Sequence, residues 1–225
     1  MTNEVNTEFM RIAAEKNRAV ASGEFTQDLD GTTFIQHPEV FSPYAWNVNS
    51  SLYTRHFPYI NDASLLEIGC GIGAVSIIAA LRYNNRVIAT DINPKAIEIA
   101  KKNAKLHEIA DRVDCREGSL FEPIQSKEKF DQIYWNWPFC YTPRSYTHKD
   151  PLERAFSDPG YQLIDTFLSE SRAYLRPTGK VILTFGSLGN FDLFDSLVKK
   201  YHFSMKTIIE ETLSNGRTYW IYQLA

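Results

Sequence analysis

Residues 65–73, with the sequence Leu-Leu-Glu-Ile-Gly-Cys-Gly-Ile-Gly, constrain the fold more than any other part of the chain. This pattern predicts a short buried strand that enters a glycine-rich turn, with a helix beginning near Ala74. Glycines at alternate positions allow a sharp turn and let a ligand approach where a Cβ atom would collide. The N-terminus of the following helix offers unpaired N–H groups, so the stretch predicts a polar or anionic ligand at this turn.

A second apolar strand is predicted at residues 86–91, and it ends in Asp91. A carboxylate about 20 residues beyond such a turn can accept hydrogen bonds from ribose hydroxyls. The two features together predict a nucleoside-containing cofactor across the carboxyl ends of parallel strands. NAD is one such cofactor, since Gly69, Gly71 and Ala74 satisfy the relaxed G-x-G-x-x-G/A pattern.

Three features count against NAD. Glu67 lies inside the strand, where its carboxylate would face a cofactor pyrophosphate unfavourably, and Gly73 adds a third alternate glycine. A later predicted strand, residues 130–135, is followed by the tetrapeptide Asn136, Trp137, Pro138 and Phe139. The motif logic therefore favours a different nucleoside cofactor.

The set Glu-x-Gly-x-Gly-x-Gly, distal Asp and Asn-x-Pro-Phe resembles the class I S-adenosylmethionine-dependent methyltransferases. The Asn-x-Pro-aromatic element resembles the Asn-Pro-Pro-Tyr motif of their amino-methylating group, which includes the release-factor glutamine methyltransferases. The layout of residues 41–225 is similar to that family, and the specific motifs lie within residues 65–139.

The resemblance implies a doubly wound α/β fold of the Rossmann-like methyltransferase type. Its sheet would be seven-stranded and mostly parallel, with a C-terminal antiparallel hairpin and a short N-terminal helical extension. The cofactor would be S-adenosyl-L-methionine. The implied cofactor-binding residues are Glu67, Gly69, Cys70, Gly71, Gly73, Asp91, Ile92, Ser119, Leu120 and Asn136.

Two motifs depart from the family pattern. Residues 118–123 are Gly-Ser-Leu-Phe-Glu-Pro, where the family carries Gly-Asp-Leu-Phe-Glu-Pro with the acid on the adenine side. The hydroxyl of Ser119 can still bond an adenine edge. Trp137 and Phe139 replace a proline and a tyrosine, and we expect the Trp137 side chain to reshape the entrance to the acceptor site.

The tetrapeptide 136–139 predicts the catalytic chemistry. An amide or aryl-amine nitrogen is a poor nucleophile because its lone pair is delocalised, so a site for it needs acceptors for its N–H groups. The Asn136 side-chain oxygen and the Trp137 backbone carbonyl can be those acceptors. Pro138 restrains Trp137 to extended backbone geometry, and Phe139 offers a flat apolar face to a planar group.

The remaining chain is predicted to form one N-terminal extension and one catalytic domain. Residues 1–60 would supply a helix and an extension that covers substrate and cofactor, and residues 61–225 the methyltransferase domain. An apolar stripe predicts a helix at residues 4–21, which either packs on the main domain or forms a wall over the substrate. Residues 40–44 resemble the segment that passes over the cofactor in the glutamine methyltransferases.

The segment 140–159 is predicted to be a long irregular loop, and such loops are often binding loops. Arg144, Tyr146 and His148 are its candidates for substrate contact. Release-factor glutamine methyltransferases usually carry a separate N-terminal substrate domain, and residues 1–60 are too short for one. The acceptor would therefore dock on this loop and the N-terminal helix, or a partner subunit would help.

Composition and charge make several classes of function less favoured. The net charge of −3 lacks the basic excess of most nucleic-acid-binding proteins, so RNA or DNA is not favoured as a partner. The three cysteines form no C-x-x-C pair and are expected to be reduced thiols of a cytoplasmic protein. The five histidines lack metal-ligand spacing, and no apolar run predicts a membrane span.

The sequence leaves three functions open. The first is an S-adenosylmethionine-dependent N-methyltransferase that acts on an amide or amino group of a protein or small molecule. The second is a methyltransferase for the exocyclic amine of a nucleobase. The third is a non-catalytic cofactor-binding subunit. Methylation of oxygen is less suited, because a hydroxyl acceptor needs a base and none is evident near Asn136.

Overall fold

The structure is a computed structural model that describes residues 3–41 and 51–225. The helices are α1 Asn3–Ala19, α2 Ser51–His56, α3 Ala74–Tyr83, α4 Pro94–Leu106, α5 Gln162–Ser171 and α6 Phe191–Lys200. The strands are β1 Phe25–Leu29, β2 Thr32–Gln36, β3 Ser64–Ile68, β4 Arg86–Asp91, β5 Val113–Glu117, β6 Phe130–Trp135, β7 Leu175–Gly186, β8 Met205–Thr212 and β9 Thr218–Leu224. None of these helices is both long enough and apolar enough to cross a membrane.

Seven strands form one twisted sheet in the order β5-β4-β3-β6-β7-β9-β8. Strands β5, β4, β3, β6 and β7 run parallel, and β9 and β8 form an antiparallel hairpin at one edge. Asn215 and Gly216 supply the predicted hairpin turn, with Gly216 at φ 76°. The predicted mostly parallel seven-stranded sheet is confirmed.

Helices cover both faces of the sheet, as the doubly wound prediction requires. One apolar core joins β3, β4 and β5 to α3 and α4, with Ile77 and Ile99 fully buried. The other joins β6 and β7 to α5 and α6, with Phe167 and Phe194 fully buried. Both faces of the sheet are buried because the central strands β3, β6 and β7 present apolar side chains on both sides.

Strand β7 begins five residues earlier than the sequence predicts. The apolar run 180–185 indicated a strand start at Lys180, after a helix closed by Pro177 and Gly179. In the structure, α5 ends at Ser171, and Leu175 already pairs with Phe130 of β6 before the ladder resumes at Gln132 and Lys180. Residues 176–179 form a bulge in β7. Pro177 therefore interrupts the hydrogen-bond ladder between β6 and β7 but does not shift the start of the strand.

The β1–β2 hairpin is joined to α4 and to the glycine-rich turn by hydrogen bonds. Asp30 and Gly31 form the predicted turn between β1 and β2, both at positive φ. The buried Asn103 of α4 accepts a hydrogen bond from the Ile35 N–H and donates to the carbonyls of Ile35 and Ile72. One side chain therefore fastens the β1–β2 hairpin to the glycine-rich turn.

Glu67 completes the N-terminus of α3 from inside the sheet. Its side chain is 5% exposed, and its Oε2 atom accepts hydrogen bonds from the backbone N–H and the hydroxyl of Ser76. Burial raises the pKa of Glu67 to about 7, against the opposing effect of the two bonds from Ser76. The carboxyl group is thus held by the helix that follows the glycine turn.

We expect Asn103→Leu to lower the free energy of unfolding by roughly 2–4 kcal/mol, because buried backbone groups of Ile35 and Ile72 lose their partners. Urea denaturation measures this difference. The matched control is Lys101→Ala, an exposed position on the same helix, which should stay within about 0.5 kcal/mol of the parent. Equal stability of the two variants would contradict the fastening role.

We expect Glu67 to make the cofactor-free protein less stable as pH rises. Its ordinary pKa is 4.5 and its folded pKa is about 7, so the folded state holds the extra proton between these values. The contribution of Glu67 to the free energy of unfolding is therefore highest below pH 4.5 and declines by up to about 1.4 kcal/mol per pH unit towards pH 7.

Glu67→Gln keeps an oxygen acceptor for Ser76 and cannot ionise, so its thermal midpoint should fall less than that of the parent between about pH 5 and about pH 8. All other acids are common to both proteins, so the difference between the two profiles reports the Glu67 carboxyl together with its interaction with Asp91. Glu117→Gln, at an exposed position, should follow the parent profile. Parallel profiles of the parent and Glu67→Gln would refute the assignment.

Candidate active site

The carboxyl ends of three neighbouring strands form the candidate site. In the central ladder, Ile68 of β3 lies opposite Thr90 of β4 and Trp135 of β6. The next residue of each strand is Gly69, Asp91 or Asn136. The sheet register alone therefore brings the glycine turn, the distal acid and the Asn-Trp-Pro-Phe segment together, as the sequence predicts.

The glycine turn has the backbone geometry that its sequence implies. Gly69, Gly71 and Gly73 have φ values of 63°, 55° and 80°, which residues with a Cβ atom rarely adopt. The N–H of Cys70 donates to the carbonyl of Thr90 at 2.9 Å, which anchors the turn to β4. Cys70 itself is buried, as are Cys115 and Cys140.

Asp91 holds the turn and keeps capacity for a ligand. Its Oδ2 atom accepts the Gly71 N–H at 2.9 Å, and its Oδ1 atom accepts the Asn93 N–H at 2.8 Å. Burial raises the pKa of Asp91, while these backbone hydrogen bonds oppose the rise. Each carboxylate oxygen has a further lone pair, so Asp91 can also accept bonds from ribose hydroxyls.

The structure fits a nucleoside cofactor at this edge of the sheet. Ile92, directly after Asp91, is an apolar side chain that is 53% exposed, which suits contact with a ring. The N–H of Ser119 donates to Glu122 Oε2 at 3.1 Å and leaves the Ser119 hydroxyl for other partners. Leu120 has φ 47° and is buried in the core, so it supports the loop from beneath.

Asn136 is held by the neighbouring strand. The hydroxyl of Thr184 in β7 donates to Asn136 Oδ1 at 2.5 Å. Asn136 is half-buried, whereas Thr184 is fully buried. No motif predicted a role for Thr184, although its hydroxyl is the polar group within the otherwise apolar run 181–185.

Trp137 does not line an entrance, contrary to the sequence expectation. Its side chain is 1% exposed and packs in the core against Tyr161, Phe185 and Phe194, at ring-centroid distances of 4.7, 6.1 and 5.6 Å. The side chain continues the alternation of β6 and points to the face opposite Asn136. Its indole N–H has no hydrogen-bond partner in the part of the chain that the structure describes.

Phe139 is fixed by contacts with Tyr161, Gly186 and Tyr219, which no sequence motif indicated. The Tyr161 hydroxyl donates to the Phe139 carbonyl at 2.7 Å and accepts the Asn190 N–H at 2.7 Å. The Phe139 ring lies on Gly186, where a Cβ atom would stand 2.5 Å from the ring. Tyr219 of β9 meets the same ring edge to face, with centroids 6.2 Å apart. The Phe139 side chain is therefore packed on one side and stays partly exposed.

The chain before α2 reaches the glycine turn. A Cβ atom on Gly71 would lie 3.9 Å from Val40, so Val40 stands beside this turn. Asn17 of α1 donates to the carbonyls of Pro38 and Val40 and holds the segment there. The predicted covering segment 40–44 continues through residues 42–44, which lie outside the described residues.

The loop 140–159 packs against α1. Met10 and Ala13 of α1 form an apolar cluster with Cys140 and Phe156. The loop is less irregular than predicted, since a 3₁₀ helix spans Pro151–Ala155. The predicted N-terminal helix thus packs on the loop that was expected to bind substrate.

The three loop candidates differ in their surroundings. Tyr146 donates its hydroxyl to Glu153 Oε2 at 2.9 Å, and the His148 Nε2 atom lies 3.1 Å from the carbonyl of Ser157. Burial lowers the pKa of His148. Arg144 is exposed. Tyr146 and His148 therefore stabilise the loop from within, and a substrate contact stays a prediction for all three.

Comparison with known proteins places the chain in a family. A family model described as "Methyltransferase small domain" matches residues 31–208. A Methanocaldococcus jannaschii protein, provisionally named as a protein N5-glutamine methyltransferase, is 32% identical over 72% of this chain and 79% of its own length.

Two further comparisons concern a sequence and a solved structure. The release factor glutamine methyltransferase of Aquifex aeolicus is 33% identical over 53% of this chain, which spans 45% of that protein. The crystal structure of a methyltransferase from Pyrococcus furiosus has the same fold, with a TM-score of 0.64 at 20% identity over 95% of this chain and 96% of that one. By the matched model and the Methanocaldococcus jannaschii relative, the chain belongs to the methyltransferase small domain family and is an S-adenosyl-L-methionine-dependent methyltransferase.

Proposed function

We propose that this enzyme methylates the nitrogen of a planar amide, the side-chain amide of a glutamine in an acceptor protein. The observation that carries the proposal is the pair of oxygens at the end of β6. Asn136 Oδ1 is held by Thr184, and no described donor bonds the carbonyl of Trp137. Two such acceptors match the two N–H groups of a primary amide. The relatives named as glutamine methyltransferases support the same acceptor.

Residues of the glycine turn and β4 would hold the cofactor. Gly69, Gly71 and Gly73 give room for close approach, and Asp91 would accept bonds from the ribose. Ile92 would contact the adenine ring, and the Ser119 hydroxyl would bond the adenine edge. Leu120 would support the loop that carries Ser119. Bound S-adenosyl-L-methionine supplies a methyl group activated by its sulfonium. The roles of Glu67 and Cys70 would be indirect, because both side chains are buried behind the turn.

The acceptor residues would prepare the nitrogen for attack. Bonds from its two N–H groups to Asn136 and Trp137 would raise electron density on the nitrogen and aim its lone pair at the methyl carbon. A new N–C bond would form as the S–C bond breaks, with the electron pair going to sulfur and one N–H proton leaving to solvent. Phe139, seated on Gly186, would support the plane of the amide.

Residues 1–60 would act as an extension that covers the cofactor and helps to dock the acceptor. Val40 beside Gly71 and the packing of α1 on the loop 140–159 support this division from the catalytic residues 61–225. Arg144 would contact the acceptor from the exposed side of the loop. A partner subunit that helps to dock the acceptor is the alternative.

We expect Asn136→Ala to lower methyl transfer by about 100-fold or more, because one of two hydrogen-bond acceptors for the amide is lost. Each enzyme variant is incubated with tritiated S-adenosyl-L-methionine and the protein or RNA fraction of a cell extract. Labelled products are digested with proteases or nucleases, which leave a side-chain amide intact, and are identified by mass spectrometry. N5-methylglutamine from the protein fraction supports the proposal. Asn61→Ala, at an exposed loop position, is the matched control.

The same experiment separates the other functions. Label in RNA with steep salt dependence would favour a nucleobase amine as acceptor. Tight binding of S-adenosylhomocysteine with no label in either fraction would favour a non-catalytic subunit. Full transfer by Asn136→Ala would remove this residue from the proposed mechanism.

We expect Asp91→Asn to weaken S-adenosylhomocysteine binding by about tenfold or more, because ribose hydroxyls lose a charged acceptor. Calorimetric titration gives the dissociation constants, with NADH as the comparison ligand. Asp111→Asn, an exposed acid after α4, should bind like the parent. Unchanged affinity of Asp91→Asn would exclude the ribose contact, and binding of NADH alone would refute the cofactor site.

A further inference from the structure

The side chains of Asn136 and Thr184 form an isolated polar pair between two strands. Trp135 of β6 lies opposite Leu183 of β7, so one residue further along puts Asn136 beside Thr184 on the same face of the sheet. Thr184 is fully buried, and its hydroxyl donates to Asn136 Oδ1. Across the described residues, this is the one hydrogen bond of the Asn136 side chain.

The orientation of the Asn136 amide decides what it presents to an acceptor. A half-turn about the χ2 bond of Asn136 exchanges the positions of the amide oxygen and the NH₂ group. An NH₂ group facing the acceptor nitrogen would compete for the lone pair that must attack the methyl carbon. The oxygen, in contrast, receives an N–H and leaves the lone pair available.

In this structure the Thr184 hydroxyl is the donor and Asn136 Oδ1 the acceptor, so the pair is in the oxygen orientation. The Thr184 hydroxyl bonds one of the two lone pairs of Asn136 Oδ1 and leaves the second for a ligand. Burial strengthens such a bond, because water does not compete for either partner. A β-branched threonine is also restricted about χ1, which fixes the direction of its hydroxyl.

We propose that Thr184 is a positioning residue, which holds the Asn136 amide with its oxygen available to the N–H of the acceptor. The proposal rests on the proposed function of Asn136 in amide methylation. Thr184 acts through Asn136 and touches neither cofactor nor acceptor. It extends the active site to β7, beyond the motif residues 136–139.

The kinetic test compares Thr184→Val, which keeps the shape and removes the hydroxyl, with Thr184→Ser, which keeps the hydroxyl. Transfer of tritiated methyl groups is measured at increasing amounts of the extract protein fraction. We expect Thr184→Val to lower the maximal rate at least about tenfold. The half-saturating amount of acceptor and the affinity for S-adenosylhomocysteine should change less than about twofold, since neither ligand touches Thr184.

Thr184→Ser should recover the maximal rate to within about threefold of the parent, because a hydroxyl donor remains. Thr178→Val, on the exposed part of the same strand, should behave like the parent. Full activity of Thr184→Val would overturn the proposal. So would a Thr184→Ser variant as slow as Thr184→Val, which would indicate packing and not hydrogen bonding.

A second measurement needs no methyl transfer and separates this proposal from the proposed function. Thr184→Val, Asn136→Ala and the double variant form a cycle in urea denaturation. We expect Thr184→Val to lower the folding equilibrium constant about fivefold or more with Asn136 present and less than about twofold without it. Equal effects in both backgrounds would show that the pair is not coupled and would overturn the proposal even if the enzyme methylates glutamine.

Discussion

The parallel pairing of β3 with β4 on one side and with β6 on the other is the constraint on which the site depends. Because Ile68 is in register with both Thr90 and Trp135, the three strands end at one level. Beyond this level the segments that follow the three strands diverge: the glycine turn after β3, the segment after Asp91 of β4, and the segment that begins with Asn136 after β6. A slip of one residue in either ladder would send the functional side chain to the opposite face of the sheet.

Buried polar groups hold the loops that leave these strand ends. Glu67 bonds the first turn of α3, Asp91 bonds the N–H of Gly71, and Asn103 joins the glycine turn to the β1–β2 hairpin. Tyr161 fixes the carbonyl of Phe139 in the same way. Hydrogen bonds of this kind have strict geometry, and they position loops that apolar packing alone would leave imprecise.

The substitution of tryptophan in the family's Asn-Pro-Pro-Tyr motif becomes intelligible in this context. The chemistry assigned to that position needs only the backbone carbonyl of Trp137, and the side chain alternates to the other face. There it fills space among Tyr161, Phe185 and Phe194. A substitution at a motif position can thus affect core packing instead of the site. The Phe139 ring, in contrast, packs on Gly186 of β7.

The sequence by itself determined the order of strands and helices and the local motifs, because apolar periodicity, glycine turns and an Asn-x-Pro-aromatic element act over a few neighbouring residues. It predicted Gly69, Asp91 and Asn136 as one site, since parallel strands end at one edge. Only the tertiary structure shows that Thr184 bonds the Asn136 side chain and that Tyr161 bonds the Phe139 carbonyl. Both lie far along the chain, and which atoms meet between strands and loops depends on register and packing that no local pattern encodes.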